Sequence, residues 1–129
     1  MADAWVISPG WPPDLIEEKL GLYFEALEEL GRREHVSEVV LRRDVHLSQS
    51  AERARHEARE LLEGGYRGFG QKEIEESLIV SGPEGCVGYL KRMQGMGVTH
   101  VLFRCALDQR EKALQTIRLL GTEVIPQVR

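Results

Sequence analysis

Alternate residues of one short segment, EVVLRRDVHLS, are of types that could do chemistry. Arg42, Asp44 and His46 stand two residues apart, and in a β-strand this spacing places all three side chains on one face. A guanidinium matches the oxygens of a phosphate or a carboxylate, and an imidazole can exchange a proton near neutral pH. The segment therefore predicts a strand face that could bind an anionic group beside an acid–base group.

The intervening residues of the same segment are mostly apolar, and we expect their face to pack against helices. They are Val39, Leu41, Val45 and Leu47, with Arg43 as the exception. The polar face has two interpretations. It could line the interior of a barrel near its mouth, or it could be an Arg–Asp–His network exposed on an uncovered strand, and we favour the second.

A further segment, VTHVLFRCAL, carries a similar polar position. His100, Leu102 and Arg104 alternate along it, so they share one face if the segment is a strand. Arg104, like Arg42, could bind a phosphate or an acidic substrate. The alternative is that both arginines are partners in surface salt bridges.

The elements that position these strands alternate along the chain. Three apolar segments, DAWVIS, EVVLRRDVHLS and VTHVLFRCAL, predict the main strands. Repeating apolar positions predict helices over about 14–31 and 51–62, a third from Pro83 and a last one from Asp108 that Pro126 ends. Residues 64–73 hold four glycines and are predicted to be a loop. This order predicts an α/β fold with parallel strands and helical crossovers.

Two of the helix starts follow a capping pattern. Asp14 and Asp108 are each followed by a glutamate three residues on, Glu17 and Glu111, which is the spacing of a capping box. We therefore expect both aspartates to be N-caps. An apolar stripe in the last helix is predicted to face the core, and its members are Leu114, Ile117, Leu120 and Val124.

Composition excludes several classes of protein. The 129 residues are 42% hydrophobic and 29% charged, which is typical of one soluble globular domain. The net charge of −4 argues against a nucleic-acid or anionic membrane surface, and no apolar run approaches the roughly 20 residues of a membrane span. Cys86 and Cys105 form no metal-binding or C-x-x-C spacing. We interpret them as free thiols of a cytoplasmic protein, with one disulfide as the alternative.

The ordered segments resemble a known family. IVSGPEGCVGYLKRMQGMGVTHVLFR followed by LLGTEVIPQVR is similar to the C-terminal end of the bacterial luciferase-like flavin-dependent monooxygenases, and ADAWVIS and RRDVHLSQSAERA resemble the two preceding strand regions. The resemblance covers the last three strand–helix units of a (β/α)₈ barrel. It implies a partial barrel with three main parallel strands, in which residues 1–129 form a single truncated domain. The sequence departs from the family at Ser81-Gly82, and at Gly85, Gly88 and Gly95.

The resemblance also implies an activity. The family carries out oxidoreductase or monooxygenase chemistry with FMN or a deazaflavin. Five upstream units and most flavin-binding loops have no counterpart here, and DAWVIS begins within three residues of Met1. We therefore expect the chain not to be catalytically competent alone and to form a homo-oligomer, with a two-fold dimer favoured. The alternative is a non-catalytic, self-associating structural remnant or binding module.

In such barrels the function lies at the C-terminal ends of the strands. These ends add Ser8 and Trp11 to Arg42, Asp44, His46 and Arg104 as candidate cofactor- or substrate-binding residues. Trp11 could stack on a ring or cover the end of the barrel. The turn SGPEG could hold a phosphate at a helix N-terminus, or it could be a structural turn of glycine and proline before a helix. The sequence assigns no catalytic residue and no metal ligand.

Overall fold

The structure, a computed structural model, describes residues 4–7, 11–31 and 38–128. Within these ranges a four-stranded parallel sheet is flanked by helices, so the predicted α/β fold is confirmed. The strands are β1 (Ala4–Ile7), β2 (Glu38–Leu47), β3 (Ile79–Ser81) and β4 (His100–Cys105). The helices are α1 (Pro13–Glu29), α2 (Ala51–Glu57), α3 (Arg59–Gly64), α4 (Gln71–Ser77), α5 (Pro83–Gly95), α6 (Arg110–Leu119) and α7 (Ile125–Val128). A π turn (Leu120–Val124) joins α6 to α7.

β2 is the centre of the sheet, because the three other strands all pair with it in parallel. Successive residues of a strand direct their backbone groups to opposite edges. The N–H of Ala106 donates to the carbonyl of Val45 (2.8 Å), whereas the N–H of Ser48 donates to the carbonyl of Ser81 (3.2 Å). β4 and β3 therefore lie on opposite edges of β2. β1 and β4 both pair with Val40 and Leu41 of β2, so they must lie on opposite edges of β2. β1 therefore lies on the same edge as β3, nearer the start of β2.

The apolar face of β2 packs against helices, as its alternation predicts. Val39, Leu41, Val45 and Leu47 are all buried there. The first half of β2 packs with Ile16 and Leu20 of α1 and with Met93 of α5. The second half packs with Cys86, Val87 and Leu90 of α5 and with Leu120 and Val124 of the π turn. Burial of this face is the main stabilising contribution of the core.

Arg43, the exception on that face, is fully buried among the helices. Its Nε donates a hydrogen bond to the hydroxyl of Tyr89 in α5 (2.8 Å), and its Nη2 donates to the carbonyl of Trp11. A buried charge is costly unless it is hydrogen-bonded. These bonds offset that cost and connect the segment before α1 to α5 beneath the sheet.

The predicted capping of α1 and α6 is wrong. α1 begins at Pro13 with Pro12 as its N-cap, and Asp14 lies in the first turn, where it pairs with Arg92 at 3.0 Å. Proline is favoured at the first helical position, which moves the helix start ahead of Asp14. The N-cap of α6 is Gln109, which makes no side-chain cap bond.

Two further helix predictions are corrected. The single helix predicted over 51–62 is divided into α2 and α3 at Ala58, whose φ of −98° and ψ of 9° lie outside the helical range. Pro126 lies inside α7 and does not end the last helix. The π turn before it starts a new helical segment, and proline is tolerated in a first turn because no N–H donor is needed there.

Both cysteines are free thiols, with Cys86 buried and Cys105 half-buried. Burial raises the pKa of Cys86 to about 11. Among the helices of the described ranges, none is both long enough and apolar enough to cross a membrane.

Candidate functional site

Asp44 and Arg104 form the centre of the polar sheet face. They are register partners on β2 and β4, and Arg104 donates from Nε to Oδ1 of Asp44 (2.9 Å) and from Nη2 to Oδ2 (2.7 Å). Asp44 is buried, whereas the Arg104 side chain is 38% exposed. Bidentate pairing fixes the orientation of a guanidinium, so Arg104 is held with one edge turned outward.

A turn over residues 65–70 adds a third member to this pair. Tyr66 donates its hydroxyl to Oδ2 of Asp44 at 2.5 Å, and its ring packs edge-on against Phe69, with 6.0 Å between centroids. Gly65, Arg67 and Gly68 have positive φ angles of 93°, 46° and 80°, which the glycines accept readily. The turn therefore places Tyr66 over the carboxylate of Asp44.

Opposing effects set the pKa values of this group. Burial acts to raise the pKa of Asp44, but hydrogen bonds from Arg104 and Tyr66 outweigh it and lower that pKa below the usual range. Burial and the hydrogen bond to Asp44 raise the pKa of Tyr66. The hydrogen bond to Asp44 raises the pKa of Arg104. At neutral pH the group is thus a carboxylate between a guanidinium and a neutral phenol.

Arg42 lies on the same face of β2, two residues before Asp44. It is half-buried, and its guanidinium has no hydrogen bond or ion pair with any described residue. Its register partner on β4 is Leu102, which is 58% exposed. Arg42 and Arg104 therefore stand on adjacent strands of one surface that is open to solvent.

His46 belongs to a second network, at the C-terminal end of β2. Its Nε2 lies 3.0 Å from Oε1 of Glu57, which also accepts from Gln115 (3.1 Å), while Oε2 of Glu57 accepts from Lys112 (3.1 Å). Gln115 also donates to the carbonyl of Leu47 (2.8 Å). Burial acts to raise the pKa of Glu57, but the hydrogen bonds, led by that from His46, lower it to about 2. This network joins β2, α2 and α6.

The interpretation of the polar face as an exposed network is wrong for Asp44 and His46. Both are buried, because α2, α3, α4 and the 65–70 turn cover this half of the face. A cluster beneath this cover contains Leu61, Ile74 and Leu78. The sequence predicts a loop throughout the glycine-rich segment 64–73, whereas α3 extends to Gly64 and α4 begins at Gln71. Tyr66 was missed, and the signal that could have found it is an aromatic residue with a polar tip between glycines.

The structure separates Trp11 from this face. Its ring packs edge-on against Trp5 at 6.1 Å between centroids, in the cluster on the helix side of the sheet. Ser8 lies outside the described residues. The structure thus brings together Arg42, Asp44 and Arg104, leaves His46 buried beside them with Glu57, and places Trp11 elsewhere.

The SGPEG turn packs tightly against its surroundings. Pro83 is the first residue of α5. A Cβ at Gly82 would lie 3.1 Å from the Cα of Ser50, and one at Gly85 would lie 3.1 Å from the Cβ of Ser81. These contacts explain two of the glycines in steric terms and favour the structural interpretation of the turn. Among the described residues, no group of three or more His, Cys, Asp or Glu could hold a metal ion.

The fold and site define an α/β domain with a polar patch at one face of a parallel sheet. No family model and no curated protein matches the sequence. Solved structures do match, and at 14–18% identity the likeness establishes the fold. It confirms the predicted partial-barrel architecture.

Three of these structures illustrate the match. Monooxygenase RslO1 from Streptomyces bottropensis has a TM-score of 0.67 at 18% identity, over 98% of this chain and 41% of its own. Coenzyme F420-dependent tetrahydromethanopterin reductase from Methanopyrus kandleri has a TM-score of 0.67 at 18% identity, and the match covers 100% of this chain and 46% of the reductase. An F420-dependent secondary alcohol dehydrogenase in complex with an F420–acetone adduct has a TM-score of 0.63 at 14% identity, and the match covers 98% of this chain and 42% of the dehydrogenase. The chain therefore spans less than half the length of each of them.

Proposed function

We propose that this chain is part of a luciferase-like oxidoreductase that uses a flavin or a deazaflavin, and that Arg42 and Arg104 bind the anionic group of the cofactor or substrate. One observation carries the proposal. Two guanidinium groups lie on adjacent strands of one open face, and Arg42 has no partner among the described residues. Two of the three structural neighbours are F420-dependent enzymes, which supports the choice of cofactor.

The geometry suits a phosphate or a carboxylate. Arg104 uses Nε and Nη2 on Asp44, so its Nη1 is free of that pair. Arg42 and Arg104 stand on adjacent strands but two residues apart in register, so their Cα atoms are roughly 8 Å apart. Two long guanidinium side chains can span this distance, and one anion can therefore accept charge-assisted hydrogen bonds from both. Asp44 neutralises part of the positive charge and orients Arg104, so it acts as a positioning residue.

The described residues fit only one end of such a cofactor. Arg42 and Arg104 suit an anionic tail, but Val6 and Leu102, the apolar side chains beside them, are 61% and 58% exposed and do not enclose a ring system. When bound, a flavin or deazaflavin would supply hydride or oxygen chemistry. The residues of this chain would bind and orient its anionic group, and we assign none of them to proton transfer.

A closed pocket then requires a further surface, and we propose that self-association provides it. Parallel sheets are normally covered on both faces, whereas half of this polar face is open. We also expect a cytoplasmic protein, in which both cysteines remain reduced.

The second candidate is a self-associating module without catalysis. The exposure of Val6 and Leu102 favours it, since apolar side chains on an open sheet face indicate a protein interface. Such a module would associate but would bind neither FMN nor F420.

Fluorescence titration with FMN and with F420 tests the proposal. We expect saturable binding of one of them, weakened at least tenfold by Arg42→Ala because one of two charge-assisted contacts is lost. Arg118→Ala is the matched control, since Arg118 is exposed on α6 and should leave binding unchanged. Equal weakening by both variants would contradict the assigned site, and no binding to the wild-type chain would favour the second candidate.

A further inference from the structure

We propose that a second copy of this chain completes the sheet, with the free edge of β4 in one copy pairing in parallel with the free edge of β1 in the other. A two-fold axis repeats the junction and closes a ring of strands. The inference specifies the self-association proposed above, and it does not depend on cofactor binding.

The first observation is the pair of free edges. Within the described ranges, β1 and β4 each pair only with β2, and they lie on its opposite edges. Both strands run in the same direction as β2, so β4 of one copy and β1 of the next can continue the parallel ladder. An unpaired strand edge is a template for the addition of a further strand.

The second observation is a set of apolar side chains from all three main strands. Val6 is the register partner of Val40, and Leu102 stands on β4 with its side chain on the same face. Val6 and Leu102 are among the most exposed large apolar residues of the described chain, at 61% and 58%. In the closed ring, Leu102 of one copy stands beside Val6 of the second copy. Val6, Val40 and Leu102 of the two copies then form the apolar part of the ring interior, with Leu102 two residues beyond His100, the register partner of Val40 on β4.

Size argues against a simple face-to-face dimer. Three strands about 4.8 Å apart and six residues long at about 3.3 Å each present roughly 300 Å², well below the about 800 Å² per partner of stable dimers. Edge closure adds both strand edges and their flanking helices to the buried surface.

Disulfide cross-linking tests the junction directly. In a Val6→Cys/Leu102→Cys variant, the two new thiols of one chain are two strands apart, about 9.6 Å, beyond the roughly 7 Å between Cα atoms that a disulfide spans. A bond between them must therefore join two copies. We expect oxidation to give mainly a covalent dimer, several-fold more than either single variant or the wild-type chain with its Cys86 and Cys105.

Two outcomes would overturn the inference. A ladder of trimers and larger species would show that the contact does not close. The absence of cross-linking in the double variant would show that these edges do not meet.

Light scattering on two lysine variants keeps the inference testable without new thiols. Leu102→Lys should weaken the dimer at least tenfold, whereas Leu22→Lys should leave it unchanged, because Leu22 is similarly exposed (53%) but lies on α1. Circular dichroism should show both variants folded, since neither side chain is buried. A wild-type monomer, or equal weakening by both variants, would overturn the inference. A dimer that binds no cofactor would contradict only the proposed oxidoreductase function.

Discussion

Both carboxylate oxygens of Asp44 accept hydrogen bonds from the guanidinium of Arg104, at 2.9 and 2.7 Å. The two residues are 60 positions apart in the sequence, and they meet because β4 pairs with β2 in parallel and in this register. The pair fixes one of the two arginines of the proposed anion site. The proposed function therefore requires this pair to be intact.

The first prediction concerns the coupling of Asp44 with Tyr66. Asp44→Asn should lower the free energy of unfolding by about 1–3 kcal/mol, because hydrogen bonds to a charged group are lost, and Tyr66→Phe by about 1 kcal/mol. Since both changes remove the same hydrogen bond, the free energy of unfolding of the double variant should fall by less than the sum of the two single losses. Urea unfolding of the four proteins measures this. Full additivity would show that the 2.5 Å contact contributes nothing.

The second prediction concerns acid. Glu57 has a pKa of about 2 in the fold against 4.5 ordinarily, so the unfolded chain takes up the proton first as the pH falls. The stability contributed by Glu57 is then fully present above about pH 4.5 and is lost between pH 4.5 and 2, on the order of 3 kcal/mol. Asp44, whose pKa is also lowered, acts in the same direction.

Glu57→Gln isolates this contribution. The variant should be less stable than the wild-type chain at pH 7, and the difference should narrow towards pH 2. Chemical denaturation over this pH range gives the curve. A constant difference would mean that Glu57 has an ordinary pKa in the folded state.

The third prediction concerns the buried guanidinium of Arg43. Arg43→Lys keeps the charge but cannot reproduce the fork that reaches both Tyr89 and the carbonyl of Trp11. We expect a loss of about 2–4 kcal/mol, since a buried charge and its partners are left poorly hydrogen-bonded. Tyr89→Phe, which removes one partner, should cost about 1–2 kcal/mol. Thermal unfolding that ranked Tyr89→Phe as the more damaging change would contradict this account.

The fourth prediction compares two glycines. Gly97 has a φ of +108°, and a Cβ there would lie 2.7 Å from the ring of Phe24, so Gly97→Ala should destabilise by at least about 1 kcal/mol. Gly88 lies inside α5 with open space around it, so Gly88→Ala should stabilise by about 0.5–1 kcal/mol. Melting temperatures of the two variants should move in opposite directions. A shift in the same direction would contradict the described conformations.

Periodicity in the sequence predicted the strands and the buried face well. The alternation in β2 correctly assigned Leu41 and Val45 to the helix side and identified Arg43 as an exception. The same two-residue spacing placed Arg42 and Asp44 together, and Arg104 followed because a parallel neighbour shares the pattern. These features depend on local geometry, which a strand segment contains by itself.

The cover over the polar face could not be predicted in the same way. Residues 65–70 have no apolar period, and the position of Tyr66 depends on glycine conformations and on a contact with Asp44, 22 positions away. The Glu57 network likewise joins His46 to Gln115 across three elements.

The remaining errors come from competing local preferences within the helices. Proline favours the first helical position, so α1 begins at Pro13, ahead of Asp14. In α6 the core-facing residue is Thr116, which accepts a hydrogen bond from the N–H of Leu47 (3.1 Å), and Ile117 is exposed.

The most direct test of the central proposal measures cofactor binding and the oligomeric state of the protein together. Fluorescence titrations with FMN and with F420 are made at several protein concentrations, with light scattering on the same samples. We predict saturable binding of one cofactor that increases with the fraction of dimer and is weakened at least tenfold in Arg42→Ala. A stable dimer that binds neither cofactor at any protein concentration would contradict the proposed oxidoreductase function and leave the non-catalytic module as the function of this chain.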